Sequence, residues 1–190
     1  VGGVVGRLWN DESSAAGNNT KKNLGIIGMV SSGKTTLLHK LGGVKKVERN
    51  SHAEEYEEFT DYLKSGKSIV IAKGKDFGGS KSYVAEYRSI ISRSDVVFYF
   101  FNVNLYVEDL EYRRDCNSRL SFIFPNLLNK KTVLIATHAD QSASSKSQLR
   151  ESILKLTIDK NYSKLFNENF FIVNLTNNEE FSDLTENLFK

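Results

Sequence analysis

Residues 28–36 read GMVSSGKTT and lie between two apolar runs, 24-LGIIG-28 and 37-LLHKL-41. Gly28, Gly33, Lys34 and Thr35 fit the pattern G-x-x-x-x-G-K-[ST], and the chemistry that needs these types at this spacing is phosphate binding. The glycines let the backbone curl until successive N–H groups face inward as an anion nest. A helix that starts near Lys34 adds its N-terminal dipole to that nest. A lysine at a helix start is otherwise ill placed, since its charge meets the positive end of the dipole. A bound triphosphate removes the conflict: Lys34 reaches back over the loop to the β- and γ-phosphates, and the Thr35 hydroxyl is placed to ligate Mg²⁺. Ser31, Ser32 and Thr36 complete the set of phosphate-contacting candidates.

Selection of a base needs a second site. The run 132-TVLIAT-137 leads into 137-THAD-140, where guanine-specific loops of this kind carry [NT]-K-x-D. A carboxylate at Asp140 accepts hydrogen bonds from the guanine N1–H and exocyclic amine. Adenine has no N1–H and no amine at C2, and a site built this way discriminates by ~10⁴ or more. Thr137 begins the pattern, and His138 replaces its lysine. A third stretch, 76-DFGG-79, fits D-x-x-G: Asp76 holds Mg²⁺ through water, and the Gly79 N–H meets the γ-phosphate until hydrolysis removes it. Lys34 and Gly79 are then the groups that face charge developing in a transition state. No residue stands out as a catalytic base.

These pieces need a frame, and the rest of the chain supplies one. Short buried runs recur at Leu24–Gly28, Ser68–Ala72, Asp95–Val103, Thr132–Thr137 and Phe170–Leu175, as in a parallel sheet covered on both faces. Helical patterns fall between them, near residues 35–41, 81–92, 105–120, 147–158 and 179–189. Tyr83, Tyr87, Ile90 and Ile91 share one helical face, as do Leu149, Ile153 and Leu156. The alternation predicts a doubly wound α/β domain over residues 23–190. Residues 1–22, rich in Gly, Ser and Asn, read as a flexible lead-in. Its use is open between docking on the domain, a peripheral membrane contact and a link to another domain.

Composition narrows the function classes. The 190 residues carry 26 basic and 23 acidic side chains, a net charge of +3 that is too mild to argue for nucleic acid. No apolar stretch approaches the ~20 residues of a membrane span. The N-terminal VGGVVGRLW is too short and glycine-rich for a secretory signal. The lone Cys116 excludes an internal disulfide, suits a reducing compartment, and is expected to be a small buried side chain. A cytoplasmic location follows as the expectation.

With these motifs in order, the chain resembles the small Ras-like GTPases. The 76-DFGG-79 stretch is similar to the second switch of Arf-type proteins, and 137-THAD-140 to the Roc domains of Roco proteins. The likeness runs from Leu24 to Lys190. It implies a six-stranded, mostly parallel sheet, GTP or GDP with Mg²⁺ as ligands, and a switch that controls effector or regulator proteins. It also implies a base-contacting loop at 175-LTN-177, with Thr176 as its matching residue, and a first-switch threonine on the metal.

Thr60 is the sole threonine between Thr36 and Asp76, so it is the candidate for that metal ligand. Residues 51–66, however, read as a helix. Ser51 and Glu54 form a capping box, Tyr56, Phe59 and Leu63 share a face, and Gly66 follows the end. Two further departures bear on rate. Ser80 stands where the family carries a water-positioning Gln, and Val30 stands where many members carry Gly. The expected function is therefore a GTP-dependent switch with slow hydrolysis. A pseudo-GTPase scaffold is the alternative, and a phosphate-loop ATPase is a third reading in which 137-THAD-140 is accidental.

Overall fold

Seven consecutive residues, Val96–Asn102, are buried, and the molecule is built outward from this strand. Val97, Tyr99 and Phe101 point into one core and Val96, Phe98 and Phe100 into another. Such a strand needs layers on both sides, since each fully buried apolar side chain is worth ~1.5–3 kcal/mol.

The computed structural model describes residues 21–42, 54–63, 65–66, 68–76 and 78–189. In chain order the elements are β1 (Lys21–Lys22), β2 (Leu24–Gly28), α1 (Lys34–Lys40), β3 (Glu54–Tyr56), β4 (Phe59–Tyr62), β5 (Ser68–Ile71) and β6 (Gly74–Asp76). There follow a 3₁₀ turn (Lys81–Glu86), α2 (Tyr87–Arg93), β7 (Val96–Asn102), α3 (Val103–Glu108), α4 (Leu110–Leu127) and β8 (Lys131–Thr137). A second 3₁₀ turn (Ala139–Gln141), α5 (Lys146–Thr157), α6 (Leu165–Glu168), β9 (Phe170–Ile172) and α7 (Asn178–Phe189) complete it.

β2, β7, β8 and β9 lie side by side in that order, all parallel. β1 runs into β2 with one break at Asn23, and pairs in parallel with β5, which pairs antiparallel with β4. β3 and β6 extend the same hairpin as an antiparallel ribbon. Taken through these breaks, the strands form the expected six runs, five parallel and one antiparallel. Leu37 and Leu38 of α1 and Leu184 and Leu188 of α7 fill one core. Helices α2 to α6 cover the other, through residues such as Tyr87, Tyr106, Leu120, Ile153 and Phe166.

The helix expected over 51–66 is not formed. Its described part is two strands, β3 and β4, while residues 51–53 and 64 lie outside the described set. A capping box is worth ~1 kcal/mol. Burial of Tyr56 and Leu63 against the sheet, together with pairing to β5 and β6, outweighs it. The helical run 105–120 is two helices. Asp109 separates them and caps α4 by accepting from the Glu111 and Tyr112 N–H groups at 2.8 and 3.0 Å. The lead-in gives up its last two residues to β1, and residues 1–20 lie outside the described set.

Candidate nucleotide site

β2 delivers the loop. At Gly28 φ is +139°, and a Cβ there would run into the Phe100 backbone on β7. Glycine is required on both counts. The Met29 N–H then donates to the Phe100 carbonyl at 2.9 Å, which pins the loop to the central strand. Ser31 takes φ +52° and Gly33 φ +86° as the chain turns into α1. A Cβ at Gly33 would lie 2.8 Å from Leu175 Cδ1 and 3.4 Å from Thr137 Cγ2. The stretches that begin at Thr137 and Leu175 therefore meet the glycine loop at Gly33.

No side chain caps α1, and no acidic residue stands in its first turn. Lys34 is buried, and its Nζ donates to the Met29 carbonyl at 2.7 Å across the loop. The Ser32 hydroxyl donates to the same oxygen at 2.7 Å. The ammonium is thus buried and held across the curled backbone of the loop. Thr35 and Thr36 are half-buried on the first turn.

β8 brings 137-THAD-140 to the same place. The Thr137 hydroxyl is 3.0 Å from the Ser32 carbonyl and 3.3 Å from that of Phe101, so this residue fastens the turn after β8 to the glycine loop after β2. His138 is left-handed at φ +63°, and its Nδ1 lies 2.7 Å from the Thr137 hydroxyl. Burial lowers the His138 pKa, against the opposing pull of Asp140. Asp140 itself is exposed on the 3₁₀ turn, open to a ligand. Asn104 on α3 donates from Nδ2 to the His138 carbonyl at 2.7 Å and so braces the strained turn.

The loop after β9 is held by α1. Lys40 Nζ donates to the Leu175 carbonyl at 2.8 Å and to Asn178 Oδ1 at 2.9 Å, and lies over the Phe181 ring. Thr176 is exposed, with its N–H and hydroxyl both donating to Asn174 Oδ1.

Asp76 ends β6, opposite Glu54. Gly79 lies on the loop: a Cβ there would run into the Met29–Val30 peptide. Arg119 of α4 reaches this point, with Nη1 donating to the Gly79 carbonyl at 2.6 Å. Tyr87 of α2 donates its hydroxyl to the Gly28 carbonyl at 2.8 Å. Neither was singled out for the site from the sequence. Tyr87 reads there as one residue of an apolar face, and Arg119 falls on a helix crowded with surface charge. Burial would lower the Arg119 pKa, but the Asp115 carboxylate beside it raises it on balance.

Thr60 is not brought to the loop. It is exposed on β4 opposite Val70, while β1, at the far end of the central strand from the loop, pairs with the same part of β5. Ser80 is exposed, and its hydroxyl accepts from the Ser82 N–H at 3.4 Å, capping the turn that follows. Val30 is 53% exposed at the loop rim.

Comparison with known proteins yields a likeness in structure alone. No family model and no curated protein sequence matches the chain. Among solved structures it is similar to the Arl6 BBS3 small GTPase of Trypanosoma brucei, a structure with the bound nucleotide analogue GppNp. The match has a TM-score of 0.60 at 20% identity and covers 89% of this chain and 98% of that one. The fold is that of a small Ras-like GTPase. The glycine loop after β2, Gly79 and Thr137 occupy neighbouring places in this fold, with Gly79 over Met29–Val30 and Thr137 joined to Ser32.

Proposed function

We propose that this chain binds GTP and GDP at the loop Gly28–Thr36 and acts as a slowly hydrolysing switch. The observation that carries the reading is the buried Lys34 ammonium held across a glycine loop that Thr137 ties to the turn bearing Asp140. Glycine is needed at three points of this loop and its surroundings, since added Cβ atoms at Gly28, Gly33 and Gly79 would collide with neighbouring protein atoms, and such closely packed backbone supports the phosphate-loop reading. Asp140 would read the guanine edge, with Thr137 and His138 forming the wall beside it and Thr176 at its rim. Mg²⁺, when bound with the triphosphate, would neutralise phosphate charge, held by Thr35 and, through water, by Asp76. Residues 23–190 form the nucleotide-binding unit in this reading. A cytoplasmic location and a regulated partner protein belong to the same proposal.

Slow turnover follows from the residues around the terminal phosphate. Hydrolysis needs an aligned water and donors for the developing charge. The Ser80 side chain is short and serves as a cap, and Val30 adds bulk at the rim. The isolated protein is expected to turn over GTP no faster than the ~10⁻⁴ s⁻¹ of an unassisted switch. The capping role of Ser80 also favours the scaffold reading, in which nucleotide is held and not used.

Chromatography of nucleotide released from the denatured, purified protein tests the assignment. Guanine nucleotide is expected, and adenine nucleotide would contradict it. Single-turnover hydrolysis then separates switch from scaffold. Turnover near 1 s⁻¹ without a partner would overturn the slow-rate account.

A further inference from the structure

Arg119 is 4% exposed and uses its guanidinium in three directions. Nε and Nη2 donate to the two Asp115 oxygens at 3.2 and 2.9 Å. Nη1 donates to the Gly79 carbonyl at 2.6 Å and lies 3.5 Å from the Tyr87 hydroxyl. That hydroxyl donates to the Gly28 carbonyl at 2.8 Å and accepts from the Gly28 N–H at 3.4 Å. One side chain on α4 thus reaches the glycine of 76-DFGG-79 directly and the first glycine of the phosphate loop through one hydroxyl. An ion pair between the buried Arg119 and the half-buried Asp115 adds little net stability, because desolvation of the guanidinium offsets the attraction. Stability alone therefore gives no reason for a fork of donors at this position, whereas geometry does: a planar guanidinium holds a carboxylate bidentately and still has a donor in a fixed direction for the Gly79 carbonyl.

We propose that Arg119 is a positioning residue for triphosphate over diphosphate, holding Gly79 against the phosphate loop so that its N–H is in place for a terminal phosphate. The proposal rests on the nucleotide reading above and adds to it a residue outside every motif. Asp115 orients the fork. Tyr87 carries the same constraint to Gly28, so α2 and α4 both bear on the loop. The segment after β6 does not then have to be ordered by the ligand alone, and that cost is removed from triphosphate binding. GDP, which presents nothing to the Gly79 N–H, gains nothing from the arrangement.

The test compares affinities of the parent, Arg119→Lys and Arg119→Gln for GDP and for a non-hydrolysable GTP analogue, by calorimetry with Mg²⁺. Arg119→Lys keeps the charge beside Asp115 and loses the fork. It is expected to melt close to the parent yet to lose about tenfold in the ratio of GTP-analogue to GDP affinity. Arg119→Gln is expected to lose at least as much in the ratio. Should that variant fail to fold, Asp115→Asn/Arg119→Gln removes both charges of the pair and is read instead. Tyr87→Phe is expected to weaken both nucleotides alike. An unchanged ratio in folded Arg119 variants, or an equal loss for both nucleotides, overturns the proposal while leaving nucleotide binding intact. A parent that binds neither nucleotide overturns the nucleotide reading itself, and this proposal with it.

Discussion

At the scale of single residues, the site separates into groups that touch a ligand and groups that hold them. On the proposed reading Lys34 is of the first kind. Lys34→Ala removes the buried cation over the loop and should weaken nucleotide binding at least tenfold with little change in melting temperature, as calorimetry and thermal denaturation would record. Asp140→Asn should weaken GTP binding and shift preference toward xanthosine triphosphate, whose 2-oxo group accepts from an amide; nucleotide competition measures this. Cys116 belongs to neither kind. It is buried on the inner face of α4 beside the Tyr99 hydroxyl, 3.6 Å away. Burial pushes its thiol up to about 12, more than the Tyr99 contact and the Arg119 charge draw it down. The unfolded thiol titrates near ~8.5, so the stability gained by burying it neutral is complete below that pH and is lost as pH rises toward about 12. The melting temperature of the parent should fall more steeply between about pH 8.5 and 10 than that of Cys116→Ala.

At the scale of elements, the loop depends on how closely β2 approaches β7. Gly28→Ala forces a Cβ into the Phe100 backbone from a left-handed φ, and neither strand can move without disturbing both cores. A loss of ~3 kcal/mol or more in denaturant unfolding is expected, along with lost nucleotide binding. Elements this constrained are also the ones legible in the sequence. β2, β7 and β8 are buried on both faces and so read as unbroken apolar runs. The hairpin arm from Glu54 to Tyr62 was not legible. Its apolar residues fall at helical spacing behind a capping pattern, and the pairing with β5 and β6 that decides against a helix is long-range. Gly28, Gly33, Lys34 and Thr137 could be placed because their motif spacing is local. Tyr87 and Arg119 could not, since their contacts join residues 59 and 40 positions apart. Nothing local marks such a pair as meeting a loop.

At the scale of the whole molecule, three motifs far apart in sequence follow the carboxyl ends of β2, β6 and β8 in a mostly parallel arrangement of strands. α2, α4 and α7 come to them by other routes: Tyr87 and Arg119 bear on the glycines, and Asn178 takes the lysine of α1. A ligand that bridges these parts should stabilise the whole fold. GDP at 100 times its Kd is worth ~2.7 kcal/mol, so the melting temperature should rise by about 5 °C or more. The central claim is that the site selects guanine through Asp140 over a phosphate loop built on Lys34. Competition between GTP and ATP for the parent protein in the presence of Mg²⁺ tests it most directly. GTP should displace a bound fluorescent guanine nucleotide at concentrations ~10³-fold or more below those at which ATP does. Equal displacement by the two, or no binding of either, would contradict the account.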